Sequence, residues 1–132
     1  VGEEFYFKPD AGLILASPAD ETPQEPADAQ PEEIDIAICV DRLQKATRFE
    51  ISRLHAKWAG LRTFAPDKTT VVGMEPDHGG FFWLAGQGGY GIMTSPAMAR
   101  CAAGLIGGAG LPTDLGDLGI SAAALSPARF RN

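Results

Sequence analysis

One short stretch of this sequence could carry chemistry by itself. Gly86-Gln87-Gly88-Gly89-Tyr90-Gly91 puts glycines at the GxGxxG spacing, at Gly86, Gly88 and Gly91, between the apolar run Phe81 to Ala85 and an Ala-rich stretch from Ser95 to Ile106. Glycine lets a backbone approach a ligand closely, and a helix behind the turn points free N–H groups and its positive dipole end at negative charge. The stretch reads as an anion- or cofactor-binding turn, with a tight structural turn as the plainer alternative. As a dinucleotide fingerprint it lacks its context, which is a second parallel strand after the helix and an acid about 20 residues on. Here the chain runs into Gly107 to Pro112, and no Val/Ile strand precedes Asp114 or Asp117. Taken alone, Arg62 reads as a strand arginine in a surface pair and Tyr6 as a half-buried strand aromatic. His55 and His78 have no Asp, Cys or second His at ligand spacing and read as solvated or locally bonded. Cys39 and Cys101 fall on apolar helix faces outside any CxxC motif, so they read as packing residues and no metal site is expected. Trp58 and Trp83 read as core or interface residues.

The elements that would position these residues follow from patterning. Phe5-Tyr6-Phe7 and Leu13-Ile14-Leu15 flank Lys8-Pro9-Asp10-Ala11-Gly12, which predicts a hairpin. Residues 17–31 hold four prolines among Ala, Asp and Glu and read as a solvated loop. Pro31, Glu32 and Glu33 suit a helix start. Ile36, Cys39, Val40, Leu43, Ala46 and Thr47 then predict an amphipathic helix over 32–48. Further strands are expected at 50–54, 58–64, 69–73 and 81–85, the last apolar enough to be buried on both faces. A second helix is expected at 95–107, with Thr94 or Ser95 as cap ahead of Pro96 and Met98, Cys101, Ala102, Leu105 and Ile106 facing inward. A tail with a short helix near Ser121 to Leu125 ends the chain. The expected fold class is α+β, with one antiparallel or mixed sheet of five or six strands.

Composition bounds the partners. The chain has 132 residues, 45% apolar and 21% charged, enough for one domain, and its net charge of -6 speaks against a generic grip on nucleic acid or an anionic membrane. Ten of the 17 acids lie within residues 1–35 against one base, Lys8, as a solvated acidic face would require. No apolar run is long enough to span a membrane, no signal-like segment opens the chain, and the two isolated cysteines suit a reducing cytoplasm.

Three segments together carry a resemblance: Trp58-Ala59-Gly60-Leu61-Arg62-Thr63-Phe64, Gly80 to Thr94, and Leu125-Ser126-Pro127-Ala128-Arg129-Phe130. With Tyr6 to Gly12 they resemble the C-terminal part of FAD-dependent amine and D-amino acid oxidoreductases, nearest to the D-arginine dehydrogenase type. The resemblance implies a C-terminal portion of a larger two-domain flavoenzyme, with Val1 marking a cut and the FAD-binding fingerprint in a missing N-terminal half. It implies that Gly86, Gln87, Gly88, Gly89, Tyr90, Gly91, Ile92, Met93 and Thr94 contact the flavin. Arg62 would hold the substrate α-carboxylate, Tyr6 would lie over the substrate, and the Gly89 carbonyl would accept from its amine. Residues 1–79 would form part of the substrate-binding domain and 80–132 the flavin-facing strand, loop, helix and tail. Met93 stands where the family commonly has Gln, and a thioether donates no hydrogen bond. Either the backbone N–H acts there alone, or flavin potential and substrate preference differ. The implied reaction is oxidative deamination of a D-amino acid by hydride transfer to FAD, with the isolated chain inactive. Sarcosine, glycine or a 2-hydroxy acid as substrate, and a non-catalytic, self-associating module, are the competing readings.

Overall fold

The computed structural model describes residues 4–131; Val1, Gly2, Glu3 and Asn132, and with them the reading of Val1 as a cut, lie outside the described residues. The chain is α+β and divides into two compact units, Val1–Leu61 and Arg62–Asn132.

In the first unit, β1 (Tyr6–Asp10) and β2 (Leu13–Ser17) form an antiparallel hairpin in the register Tyr6↔Ser17 to Asp10↔Leu13. The expected five-residue link shrinks to Ala11-Gly12, both at positive φ, the conformation whose twist matches the flanking strands. Pro9 is tolerated because a two-stranded sheet consists of edges. The helix α1 (Glu33–Ala46) begins after Glu32, with Glu33 and Asp35 in its first turn and Lys45 paired to Asp41 at 2.8 Å. Of its apolar stripe, Cys39 and Leu43 are buried, Ile36, Val40 and Thr47 half-buried, and Ala46 exposed. Arg42 donates to the carbonyls of Pro18 and Glu4, tying the start of the Pro-rich segment to the helix.

Residues 50–54 and most of 58–64 form no strand, correcting the expectation for both. Apolar residues there alternate with Arg53, His55 and Lys57, and a strand without a facing ladder leaves its backbone groups to solvent. Only Phe64 pairs, in an isolated antiparallel bridge with Gln87.

In the second unit, β3 (Val71–Met74) and β4 (Phe82–Ala85) pair antiparallel, from Val71↔Ala85 to Met74↔Phe82. The single large sheet is thus replaced by two separate two-stranded sheets. With one neighbour and one covered face, β4 is not buried on both sides; Phe82 packs on the core while Trp83 is turned outward, its Nε1 donating to Glu75 at 2.8 Å. Trp58 is exposed too, so neither tryptophan is a core residue of the chain.

The helix α2 (Gly91–Ile106) starts four residues before its expected position. Pro96, read as a first-turn residue, lies inside it. Proline cannot donate to the Ile92 carbonyl, and the Ser95 hydroxyl does so instead at 2.9 Å. Met98, Cys101 and Ala102 are buried as expected and Leu105 packs against them, whereas Ile106 is exposed. The core gathers Val72, Met98, Cys101, Ala102, Leu115 and Leu125. Burial pushes the thiols of Cys39 and Cys101 above the ordinary range, which keeps them protonated and inert. The tail is more regular than expected, with α3 (Thr113–Asp117), α4 (Ala122–Leu125) capped by Ser121, and a 3-10 turn at Pro127–Phe130.

Ion pairs hold this tail. Arg100 forks onto Asp114 at 2.6 and 2.8 Å, and Arg131 reaches Glu75 and Asp77. The Arg129 guanidinium beside Asp67 holds its carboxyl down at about 2, from 3.8. Glu75 is also lowered, by its bond from Trp83, and Asp114 by Arg100. A carboxyl depressed by folding stabilises above its unfolded value and loses that contribution as pH falls through the folded one. Asp67 should therefore stabilise the chain fully above pH 3.8 and progressively less down to about 2. Denaturant melts across this range should show the difference between wild type and Asp67→Asn narrowing as pH falls. A difference independent of pH would refute the assignment.

Candidate functional site

The site is built from the bottom by two stretches of the second unit. Gly88 N–H donates to the Thr63 carbonyl at 2.9 Å, and the Phe64–Gln87 bridge sets the glycine turn against residues 62–65. The turn needs glycine where its backbone crosses Phe64: a Cβ on Gly88 would stand 2.4 Å from ring atom Cε1, and Gly88 has φ +52. Gly86, at φ +67, lies over Ala65. Above Phe64 lies Arg62, with its guanidinium carbon 5.2 Å from the ring centroid. Lys68 approaches the same ring, its Nζ 5.9 Å from the centroid.

Arg62 and Gly89 are brought together: Nη1 of Arg62 lies 3.4 Å from where a Cβ on Gly89 would stand. The Gln87 side chain folds over the start of α2, its Oε1 2.7 Å from the Cβ position of Gly91. Tyr90 N–H bonds to the Gln87 carbonyl at 3.1 Å, and the Thr94 N–H is already satisfied by the Tyr90 carbonyl at 2.9 Å. The amides of Gly91, Ile92 and Met93, as first-turn N–H groups, have no acceptor within the helix. They thus constitute the helix N-terminus that the sequence placed at Thr94 to Pro96. Ile92 is 95% and Met93 74% exposed, leaving this end open to a ligand.

Tyr6 stands on β1 in the first unit, 58% exposed, and lines a shallow pocket with Phe5, Phe7 and Ala46. His55 and His78 are both exposed. Among the described residues no group of His, Cys, Asp and Glu is arranged to hold a metal ion, and no helix is long and apolar enough to cross a membrane.

Phe64 is the site residue that sequence reasoning missed. Its role as the floor under Gly88 and Arg62 depends on a pairing between residues 23 positions apart, for which the residue types themselves carry no signal.

The model of the FAD-dependent oxidoreductase family matches residues 1–105, most of the chain. The chain belongs to that family. The match spans β1 through nearly all of α2 and so includes the glycine turn and Arg62. FAD is the cofactor of this family, and the donor set at the start of α2 fits one edge of a flavin. Three first-turn amides without helix acceptors lie there, and the first turn of α2 contains no acidic residue to oppose an anionic ring.

Proposed function

We propose that this chain supplies the substrate- and flavin-facing C-terminal part of an enzyme that oxidises D-amino acids at the CH–NH2 group. In this reading residues 1–79 belong to the substrate-binding domain and 80–132 carry the flavin-facing strand, turn, helix and tail. The chain acts with an N-terminal FAD-binding half, in a reducing cytoplasm, where two buried free cysteines are at home. Bound FAD supplies the acceptor for a hydride from the substrate α-carbon.

The observation that carries the proposal is the Arg62 guanidinium beside Gly89. Arg62 offers a planar fork to the α-carboxylate, fixing the substrate by two parallel hydrogen bonds. The Gly89 carbonyl accepts a hydrogen bond from the amine, orienting it once its ammonium proton has gone. The resemblance assigns Tyr6 a hydrogen bond to the substrate as well. The amides of Gly91, Ile92 and Met93 would hold the pyrimidine edge of a bound flavin and would favour negative charge there. The imino acid product leaves to hydrolyse in water.

The test is flavin reduction without oxygen in the full-length protein. D-amino acids should bleach the flavin band, and sarcosine, glycine and 2-hydroxy acids should not. Bleaching by a hydroxy acid alone would refute the assignment.

A further inference from the structure

Arg129 commits its whole guanidinium to the protein. Its Nε donates to Asp67 Oδ2 at 2.7 Å, and its Nη2 to Asp67 Oδ1 at 3.1 Å and the Thr69 carbonyl at 2.6 Å. Its Nη1 donates to the carbonyls of Leu125 at 2.8 Å and Ser126 at 3.1 Å. The side chain is only 13% exposed, and its carbon Cζ lies 4.2 Å from the Phe130 ring centroid. None of these partners belongs to the glycine turn.

What Arg129 holds is the turn that follows Arg62 to Phe64. Lys68 N–H donates to the Ala65 carbonyl at 2.9 Å, Thr69 N–H to Asp67 Oδ1 at 3.0 Å, and Lys68 sits at φ +58, which a non-glycine residue adopts only under constraint from its surroundings. Ala65, the first residue of this turn, meets Gly86: its amide nitrogen is 3.3 Å from the Cβ position there. The backbone of residues 62–65 pairs with the glycine turn through the isolated Phe64–Gln87 bridge and the bond from Gly88 to Thr63. So short a pairing does not fix its own register, which must be imposed from outside it. On one side β3 begins only at Val71, and the clamp at 67–69 closes the gap.

We propose that Arg129 is a positioning residue. By fixing the 65–69 turn, it keeps Arg62 to Ala65 in register with Gly86 to Gly89 and so keeps the Arg62 guanidinium beside Gly89. Only the consequence for substrate binding rests on the function proposed above.

Amide hydrogen exchange on the full-length protein tests this directly, comparing wild type, Asp67→Asn and Arg129→Gln. The Gly88 amide should exchange about tenfold faster or more in Arg129→Gln, while the Cys101 amide inside α2 changes by less than about twofold. Asp67→Asn leaves Arg129 its three carbonyl acceptors and should give a smaller change in the same direction, so it carries the test if Arg129→Gln does not fold. Unchanged Gly88 exchange, or an equal rise at Gly88 and Cys101, would overturn the proposal, the latter because general destabilisation moves both. In the flavin-loaded full-length protein, Arg129→Gln should raise KM for carboxylate substrates more than it lowers kcat; an effect on kcat alone counts against it. If no D-amino acid reduces the flavin, the functional reading fails while the exchange result stands.

Discussion

Replacing Arg62 with alanine in the full-length flavoenzyme should lower kcat/KM for D-amino acids by about two to four orders of magnitude. Truncating one partner of a hydrogen-bonded charge pair costs roughly 2–5 kcal/mol, and each 1.36 kcal/mol is about tenfold in rate. Arg62→Lys keeps the charge and loses the fork, so its loss should be about ten- to a hundredfold. The informative comparison is an amine with the same side chain and no carboxylate, measured beside the D-amino acid. Both substitutions should affect the amine far less. An equal loss on the two substrates would mean that Arg62 supports the turn rather than binding the carboxylate. That alternative has a physical basis, since Arg62 also lies over the Phe64 ring.

Gly88→Ala should be the most damaging single-methyl addition in the turn. The new Cβ would stand 2.4, 2.8 and 3.2 Å from three atoms of the Phe64 ring, far inside contact distance, at φ +52. The positive φ costs a non-glycine residue about 1–2 kcal/mol, and overpacking typically adds about 1–3. Together they predict a loss of roughly 2–5 kcal/mol in denaturant melts. Gly119→Ala separates the two contributions, because Gly119 has φ +87 and open space around its Cβ position. Combining Gly88→Ala with Phe64→Leu should recover part of the loss and leave the backbone cost. If Gly88→Ala is no worse than Gly119→Ala, the close approach to Phe64 is not a real constraint.

What could be read from the residues follows the range over which each feature is determined. The hairpin and α1 were legible because a turn with glycine and a 3.6-residue apolar period are local signals. The strands expected at 50–54 and 58–64 were not, since apolar content allows a strand but only a facing backbone makes one. Phe64 found such a partner in Gln87; its neighbours did not. The start of α2 was misplaced because Ser95-Pro96 has the sequence signature of a cap, although here it lies within the helix. In the site, glycine spacing revealed the turn, but the proximity of Arg62 to Gly89 came only through the resemblance. The Arg129 clamp spans 62 residues to Asp67, beyond any local pattern.

The Ser95 hydroxyl that replaces the donor missing at Pro96 narrows what inheritance can do at this position. Alanine would leave the Ile92 carbonyl to solvent and let the helix bend there, and a long side chain could not fold back to the same oxygen. Only serine or threonine at position 95 supplies that hydroxyl donor to the Ile92 carbonyl while Pro96 remains. The proline thus gives the neighbouring side chain a bonding task, so the effect of a change at position 95 depends on what stands at position 96 although neither belongs to the glycine turn.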